Sequence, residues 1–574
     1  MKRHKYIFVI GGVMSGVGKG VASASIGKIL QGRGFKVNPI KIDPYLNVDA
    51  GTMNPVEHGE VFVLSSGLEC DQDMGNYERF LDIELFPDNY MTNGMVFKTV
   101  IDRERNLGYG GKCVEPVFHI SEEILNRVKR SVKKSGADVT IVEIGGTVGE
   151  YQNAIFIEAA RTMKLKHPND VIFVLVSYLP IPGTLGEMKT KPTQNAVRTL
   201  NSYGVHPDII IARAAKSLDK KRKDKLADFV SIPNKNIISA PDVDSIYDVP
   251  LNFEKDGLST IIQKRLRIRS KNTSDLAQWK KMVDRRKTLE GTVRIGMIGK
   301  YFKTGDFVLS DVYISIIEAL KHAANRLNRQ LVLDWLDSHD YEGSHDALLK
   351  LDEYDGILVP GGFGGRGVKG KLRAIQYVRE KKIPYFGICY GMQLALIEYA
   401  RNVLKLKAAH TTEVDKKNPH PVIDIMPEQI ENIKTGNYGG TMRLGAYPAL
   451  LKKGTLAHKA YTGVEGGRWS TVQDLQNDHF IIRERHRHRY EVNPAYVQQF
   501  EERGVVFSGI SPDRVLMEVM ELPREVHPFF IGTQYHPEFT SSPLNPHPIF
   551  LEFIRASMER NGTKNEQEKI PKSS

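Results

Sequence analysis

The sequence predicts an α/β protein built of two doubly wound domains, each with a mainly parallel sheet covered by helices, joined by a linker helix. Three observations carry this expectation. With 574 residues, 41% of them hydrophobic, the chain is long enough to bury more than one core, since single cores seldom grow past roughly 250 to 300 residues. Short apolar runs alternate with helical patterns in two separate series, and a charged stretch lies between the series. The runs are continuous rather than alternating, which marks strands covered on both faces, as in a parallel sheet.

The first series comprises YIFVI (6–10), VNPIKI (37–42), VTIVEI (139–144), VIFVLV (171–176) and DIIIAR (208–213), with helical stretches such as ISEEILNRVKRSVKK between them. It predicts a domain over 1–268. The segment 269–292 is charged and places Leu276, Trp279 and Val283 at helical spacing, so it reads as a connecting helix packed lightly on a domain. VRIGMIG (293–299), LVLDWL, GILVPGG, PYFGIC and FFIGTQYH form the second series and predict a domain over 293–557. The polar end of the chain, 558–574, is expected to be disordered.

Composition narrows the class. Three cysteines, at 70, 113 and 389, make neither a disulfide framework nor a zinc site, which points to a reducing, cytoplasmic setting. The apolar run near the amino terminus ends at Gly11, too short for a signal peptide core, and no stretch approaches the roughly 18 apolar residues of a membrane span. Net charge +12 is spread along the chain, and a phosphate-rich small substrate accounts for it as well as nucleic acid does.

In PYFGICYGMQ (384–393), Cys389 stands between Gly387 and Gly391 directly after an apolar run. That arrangement lets a nucleophile sit on a tight strand-to-helix turn with its sulfur exposed. A cysteine at a strand end is more often only a small buried hydrophobe. GTQYHPEF (532–539) changes the reading, because His536 offers a base and Glu538 a carboxylate to orient it. PGGFGGRG (360–367) is a candidate oxyanion loop. This half of the chain resembles a class I glutamine amidotransferase, which implies hydrolysis of glutamine to release ammonia.

The amino-terminal strand runs into GGVMSGVGKGVASASIGKIL (11–30), a glycine-rich turn opening a helix. Backbone N–H groups, the helix N-terminus and Lys19 would form a concave positive site for phosphates. The turn resembles a P-loop with two departures: Val13 stands at the first glycine position, and Gly20 replaces the hydroxyl residue after the lysine. The metal ligand normally found there is missing. Asp73 in DQDMGNYERF (71–80) and Glu143 in VEIGGTVGE (142–150) supply carboxylates that suit Mg²⁺, which commonly takes one or two of them plus substrate phosphates. Singly, the turn also fits a dinucleotide loop and Asp73 a solvated surface acid. Glu143, at the end of an apolar strand, is harder to explain away, since burying an unpaired charge is costly. Lys189, Lys191, Thr193 and Gln194 in GEMKTKPTQNAVR (186–198) cluster donors for a second polyanion. The basic run at 216–229 reads mostly as the wet face of a helix.

Together these strings resemble the CTP synthase family over residues 1 to about 557: GGVMSGVGKG, KIDPYLNVDAGTMNPVEHGEVFV, DMGNYERF, VEIGGTVGE, GEMKTKPTQ and DVDSIY, then VPGGFGGRG, GICYGMQLALIEYAR, GGTMRLG, RHRHRYEV and QYHPEFTSSP. The resemblance implies that ATP phosphorylates O4 of UTP, that ammonia displaces this phosphate to give CTP, and that GTP activates glutamine hydrolysis. It implies UTP contacts from Ser15, Lys189, Thr190, Lys191, Pro192, Thr193, Gln194 and Lys225. ATP would meet Gly16, Val17, Gly18, Lys19, Gly20 and Val21, with Asp73 and Glu143 on Mg²⁺. Asp242 and Val243 match the adenine-side loop, with Pro241 in place of the usual lysine. Glu150, Tyr151 and Gln152 would read the product's cytosine, but the chain has GTVGEYQN where the family usually has GTVGDIES, so an acidic contact becomes Gln152. In the second half the resemblance gives Cys389 as nucleophile, His536 as base and Glu538 as orienter, with Gly362 and the N–H of Tyr390 as oxyanion donors. Gly391, Met392, Gln393, Glu413 and Arg489 match glutamine-binding positions, and His58 matches an ammonia gate. Tyr390 stands where Leu is common; since the donor there is a backbone N–H, the change is expected to matter little. The family's homotetramers, promoted by nucleotides and able to form filaments, are implied as well; nucleic acid and membrane partners are not expected. Rival readings are a related amidotransferase-coupled ligase of the cobyrinic acid amidase kind and a partitioning-type ATPase, which would have no use for Cys389, His536 and Glu538.

Overall fold

The computed structural model describes residues 4–568 apart from 184–185, 271–274, 301–302, 305–306, 309, 437, 464–473 and 476–478. The chain divides into two compact units, Met1–Ala50 with Asp73–Val283, and Gly51–Gln72 with Asp284–Ser574. Residues 51–72, expected with the amino-terminal domain, thus pack in the second unit. There the strands Val61–Val63 and Glu69–Asp71 pair antiparallel. Glu60 accepts the backbone N–H of Ser315 at 3.2 Å, and Glu69 accepts from Arg487 Nε at 2.8 Å.

In the first unit, β1 (Lys5–Gly12), β2 (Val37–Asp43), β3 (Tyr90–Thr92), β4 (Val139–Ile144), β5 (Val171–Tyr178), β6 (Ile209–Ala214) and β7 (Ile237–Pro241) form one sheet in the order β3-β2-β4-β1-β5-β6-β7. Every pair is parallel. Consecutive residues of a strand face opposite sides, so the burial of Ile7, Phe8, Val9 and Ile10 alike shows that both faces are covered. The chain leaves β1 for β2 and returns to lay β4 between them. That reversal opens a crevice at the carboxyl ends of β1 and β4, where such sheets bind ligands. Helix α1 (Lys19–Gly32) leaves from the end of β1, and α2 (Asp73–Leu81) packs beside it. The linker helix α3 (Ala277–Arg285) buries Trp279 and Val283 as its spacing predicts. Trp279 donates its indole N–H to the Tyr247 carbonyl at 2.9 Å and meets Phe80 at 5.4 Å between ring centroids.

The second unit holds β8 (Thr292–Gly299), β9 (Gln330–Asp337), β10 (Gly356–Val359), β11 (Tyr385–Ile388), β12 (Arg443–Lys452), β13 (His479–His488), β14 (Val506–Ile510), β15 (Met517–Glu521) and β16 (Phe530–Thr533). Their order is β9-β8-β10-β11-β16-β15-β14-β12-β13, with Asp474–Leu475 beyond β13. The first five strands are parallel and correspond to the five apolar runs of the second series. From β16 onward the pairing is antiparallel, an extension that continuous apolar runs do not signal because its strands carry buried polar residues such as Glu484, His486 and His488. Helix α4 (Val368–Glu380) follows β10, and α5 (Tyr390–Asn402) follows β11. The last helix, α6, spans Pro548–Glu568, so helix occupies much of the stretch expected to be disordered from 558 onward. Among the described residues no helix is long and apolar enough to cross a membrane.

Candidate active sites

In the second unit the turn between β11 and α5 places Cys389 at φ 50°, ψ −102°. A non-glycine residue with positive φ is held in a sparsely populated region, and here its N–H is tied to the Thr533 carbonyl at 2.6 Å. Flanking glycines are required by space: a Cβ at Gly391 would lie 2.2 Å from the Val359 carbonyl oxygen, and one at Gly387 would lie 2.7 Å from the Gly391 carbonyl carbon. His536 donates its Nδ1–H to Glu538 Oε1 at 2.7 Å. Burial opposes charge on the imidazole, but Glu538 and Cys389 outweigh it and push its pKa up to about 10. With Nδ1 engaged by Glu538, the buried Nε2 on the other side of the ring is left for the Cys389 thiol, whose charge also raises the imidazole. A Cβ at Gly361 would lie 2.9 Å from His536 Cε1 and 3.8 Å from Cys389 Cβ, so the PGGFGGRG loop lies against both.

That loop is pinned from several sides. Gly364 N–H donates to Glu413 Oε1 at 2.7 Å, Tyr390 O–H donates to the Gly364 carbonyl at 2.9 Å, and Lys300 Nζ donates to the Phe363 carbonyl. Burial raises the Glu413 carboxyl, against the Gly364 N–H and Lys300. Gln393 is buried, with its Nε2 on the Tyr490 carbonyl at 2.9 Å and on Gln534 Oε1 at 3.1 Å. Gly391 and Met392 face the core, Met392 against Gly532. Arg489 engages Gln429 Oε1 at 2.6 Å, Thr441 Oγ1 at 2.9 Å and the Tyr438 carbonyl at 2.6 Å. His58 ends the short helix Pro55–His58, its Nε2 3.6 Å from Asp71.

In the first unit the glycine turn from the end of β1 carries positive φ at Val13, Gly16 and Gly18, with Ser15 and Gly16 exposed and Val17 buried. α1 then begins at Lys19, followed by Gly20 and Val21. Lys19 Nζ donates to the Gly146 carbonyl at 2.9 Å, and burial pulls its ammonium below the usual lysine value, against the pull of Glu143. Asp73 and Glu143, distant in sequence, converge on one cation. Lys41 Nζ donates to Asp73 Oδ2 and, at 2.9 Å, to Glu143 Oε1, while Tyr77 O–H donates to Glu143 Oε2. Burial raises both carboxyls; Lys41 more than offsets it at Asp73, which ends below the usual range, whereas Glu143 stays above it. A Cβ at Gly20 would lie 1.8 Å from Asp73 Oδ1. The carboxylate thus occupies the space where a P-loop hydroxyl side chain would stand.

The remaining first-unit positions lie on the segments that follow β4, β5, β6 and β7. Lys191, Pro192, Thr193 and Gln194 open the helix Lys191–Ser202 just after Thr190. Thr193 Oγ1 meets Ser177 Oγ at 2.8 Å, and Gln194 Nε2 donates to Thr190 Oγ1 at 3.3 Å. Lys189 pairs with Glu187 at 2.7 Å, and Lys225 is exposed on the helix Lys220–Val230. Glu150 accepts from the N–H and hydroxyl of Thr147 through Oε1 and from Gln152 Nε2 at 3.1 Å through Oε2, while Tyr151 is exposed. Asp242 accepts from Arg213 Nη2 at 2.9 Å, and Val243 follows it, half-buried.

Residues 5–268 match the family described as CTP synthase N-terminus, and 308–556 match glutamine amidotransferase class-I. The CTP synthase of Pyrococcus furiosus is 48% identical over 563 residues, covering 98% of this chain and 99% of its own. The chain belongs to the CTP synthase family. The CTP synthase of Thermococcus gammatolerans is 48% identical over 97% of this chain and 99% of its own, and that of Halalkalibacterium halodurans 45% over the same shares. The solved Trypanosoma brucei CTPS glutaminase domain with bound acivicin is 36% identical, covers 47% of this chain and 94% of its own, and has a TM-score of 0.40. A match across both halves sets aside the partitioning-ATPase and cobyrinic acid amidase readings. The enzyme is a glutamine-hydrolysing ligase that uses ATP to convert UTP to CTP.

Three groups escaped the sequence reading. Lys41 lies in a strand buried along its whole length, so its ammonium had to find carboxylates inside; a lysine within VNPIKI was the available signal. Gln534 donates from Nε2 to Cys389 Sγ at 3.5 Å. Arg213, at the end of β6, holds the Ala240 and Pro241 carbonyls at 3.1 and 3.0 Å, and its Nε is 3.8 Å from where a Gly18 Cβ would be.

Proposed function

We propose that the amination runs through a 4-phosphorylated UTP made in the first unit and a Cys389 thioester made in the second. The observation that carries this reading is the pair of built sites in one chain: a Cys–His–Glu set whose cysteine sits on a strained turn, and two carboxylates beside a phosphate-type loop. In the glutaminase site His536 already carries the thiol proton on Nε2 as an imidazolium braced by Glu538, the thiolate attacks the carboxamide carbon, and the imidazolium gives that proton to the departing nitrogen. Gly362 and Tyr390 N–H groups receive the oxyanion, each donor contributing roughly 3 to 4 kcal/mol in acyl transfer. Ammonia leaves, and water releases glutamate. Gln393, Glu413 and Arg489 supply the polar contacts for glutamine.

In the synthetase site Lys19 and the backbone of Gly16, Gly18 and Gly20 neutralise and orient the ATP phosphates. Asp73 and Glu143 fit Mg²⁺ by donor chemistry, being oxygen anions that share a cation even without it, and the metal would supply charge neutralisation between the phosphates. Phosphoryl transfer asks the protein mainly for position and charge. Lys189, Lys191, Thr193, Gln194, Lys225 and Ser15 hold the UTP triphosphate. GTP activates the glutaminase, the enzyme works in the cytoplasm, and it assembles as a homotetramer; the exposed apolar side chains Leu107, Val117 and Phe118 offer surface for assembly. The test is CTP formation from UTP, ATP and Mg²⁺ with glutamine or with ammonium chloride. Product from glutamine alone, with none from ammonium, would remove the separation into two sites.

A further inference from the structure

Tyr390 immediately follows the nucleophile, yet its side chain leaves the turn and reaches the loop opposite. The residue is buried, with 1% of its surface exposed. Its hydroxyl donates to the Gly364 carbonyl at 2.9 Å. The edge of its ring is 3.8 Å from where a Cβ on Gly362 would stand. Lys371, on α4, which begins where the loop ends, lies with its ammonium 5.8 Å from the ring centroid. Burial, and then the charge of Glu413, raise the phenol far above its ordinary value, so it remains a donor across the working pH range.

These contacts join the nucleophile's own helix to two residues of the oxyanion loop. Gly364 adopts φ +74° and Gly367 φ +70°, conformations that glycine enters freely and also leaves freely. A loop with this freedom needs outside contacts to hold one N–H direction. The N–H of Gly364 is already committed to Glu413, and the carbonyl of Phe363 to Lys300. The carbonyl of Gly364 is held by Tyr390 alone among the described hydrogen bonds. A leucine at this position would fill part of the volume and leave that half-buried carbonyl without its side-chain donor.

We propose that Tyr390 is a positioning residue for the glutaminase: its hydroxyl and ring fix the Gly361–Gly367 loop so that the Gly362 N–H faces the carbonyl oxygen attacked by Cys389. The side chain therefore matters here, contrary to the expectation from the backbone donor alone. The inference rests on the reading of Gly362 and Tyr390 N–H as oxyanion donors.

The test compares Tyr390→Phe, which removes only the hydroxyl, with Tyr390→Leu. Two probes of the thiol separate nucleophile from loop. The γ-aldehyde of glutamate accepts the thiolate at its carbonyl carbon, so that the C=O π pair becomes an oxyanion and the adduct needs the loop. Iodoacetamide alkylates the thiolate, the S–C bond forming as iodide leaves, and needs only the thiolate; the Cys389 peptide is read by mass, because Cys113 is exposed and also reacts. Tyr390→Phe is expected to lower the glutaminase kcat about 3- to 10-fold, as expected for one net hydrogen bond. Aldehyde affinity should fall by a similar factor, the KM for glutamine should change less, and Cys389 alkylation should stay at the wild-type rate. Tyr390→Leu should lose more on the first two readouts. Unchanged aldehyde affinity in Tyr390→Phe would overturn the proposal, and so would alkylation falling in step with kcat. A wild-type enzyme that the aldehyde does not inhibit would instead remove the oxyanion assignment on which the proposal stands.

Discussion

Replacing Gly20 by Ala tests how the phosphate loop manages without a hydroxyl after its lysine. The new Cβ would stand 1.8 Å from Asp73 Oδ1, whereas real Cβ atoms essentially never come closer than 3.0 Å to a neighbour. The carboxylate must therefore retreat by about 1.2 Å, taking one proposed metal ligand with it and straining its bond to Lys41. A misplacement of about 1 Å among catalytic groups can lower a rate on the order of 100-fold. Synthesis of CTP from UTP, ATP and ammonium chloride is accordingly expected to fall about 100-fold, with the Mg²⁺ concentration for half-maximal rate shifted upward. Cys389 lies in the other unit, so its alkylation at the wild-type rate reports that the second unit is unperturbed, and the thermal unfolding profile of the full chain reports on the first. The double variant Gly20→Ser with Asp73→Gly restores the ordinary P-loop chemistry, a hydroxyl in the space the carboxylate vacates, and is expected to recover part of the loss. Activity of Gly20→Ala within about threefold of wild type, with Cys389 alkylation normal, would refute the reasoning.

Cys389→Ala is expected to abolish synthesis from glutamine and to leave synthesis from ammonium chloride nearly intact, as measured by CTP formation with each nitrogen source. Lys19→Ala and Glu143→Ala are expected to eliminate CTP formation from either source, and a wild-type rate with ammonium in either variant would sink the assignment. Gln152→Glu is expected to tighten CTP inhibition at fixed UTP by at least about tenfold, since hydrogen bonds to charged groups contribute about 1.5 to 3 kcal/mol; strong inhibition of the wild type with no gain in the variant would show that another contact reads the cytosine. Lys371 is buried, which, with the nearby Lys300 charge, pushes its ammonium down to about 7. A depressed lysine destabilises the fold fully below about pH 7, and the penalty fades as pH rises toward the unfolded value of 10.5. At about 1.36 kcal/mol per unit, Lys371→Met is expected to stabilise the full chain by up to about 5 kcal/mol at pH 6 and by little at pH 10, read from thermal midpoints at the two pH values.

Local patterns were legible and distant pairings were not. Cys389 could be read because its turn is encoded within a few residues, and His536 with Glu538 because the i, i+2 spacing fixes their hydrogen bond. Five strands of the first sheet and the five parallel strands of the second were legible for the same reason, each being a continuous apolar run, whereas the edge strands Tyr90–Thr92 and Ile237–Pro241 were not. The move of residues 51–72 into the second unit was not, because it depends on Glu69 meeting Arg487 and Glu60 meeting Ser315, more than two hundred residues away in each case. The antiparallel strands β12 to β15 were hidden by the same kind of dependence: Arg443 is acceptable in the interior only because Glu518 at 2.7 Å and Glu491 at 3.2 Å are brought to it by the fold.

The metal question shows where sequence reading stops for a physical reason. Gly20 announced that a ligand was missing, and Asp73 and Glu143 were found as acids that could replace it, but nothing in the string said that Asp73 fills the space that Gly20 leaves open. Glycine there is a complement to an acid in another helix, so neither residue has its meaning alone. The same fold brings Lys41 to both carboxylates, and that lysine explains how two acids, Asp73 and the fully buried Glu143, can be tolerated when no divalent cation is bound. On the proposed assignment of Asp73 and Glu143 to Mg²⁺, the two carboxylates need an internal counter-charge whenever the metal is away. Lys41 supplies one from the strand next to Glu143, which is why a lysine can stand in a strand buried along its whole length.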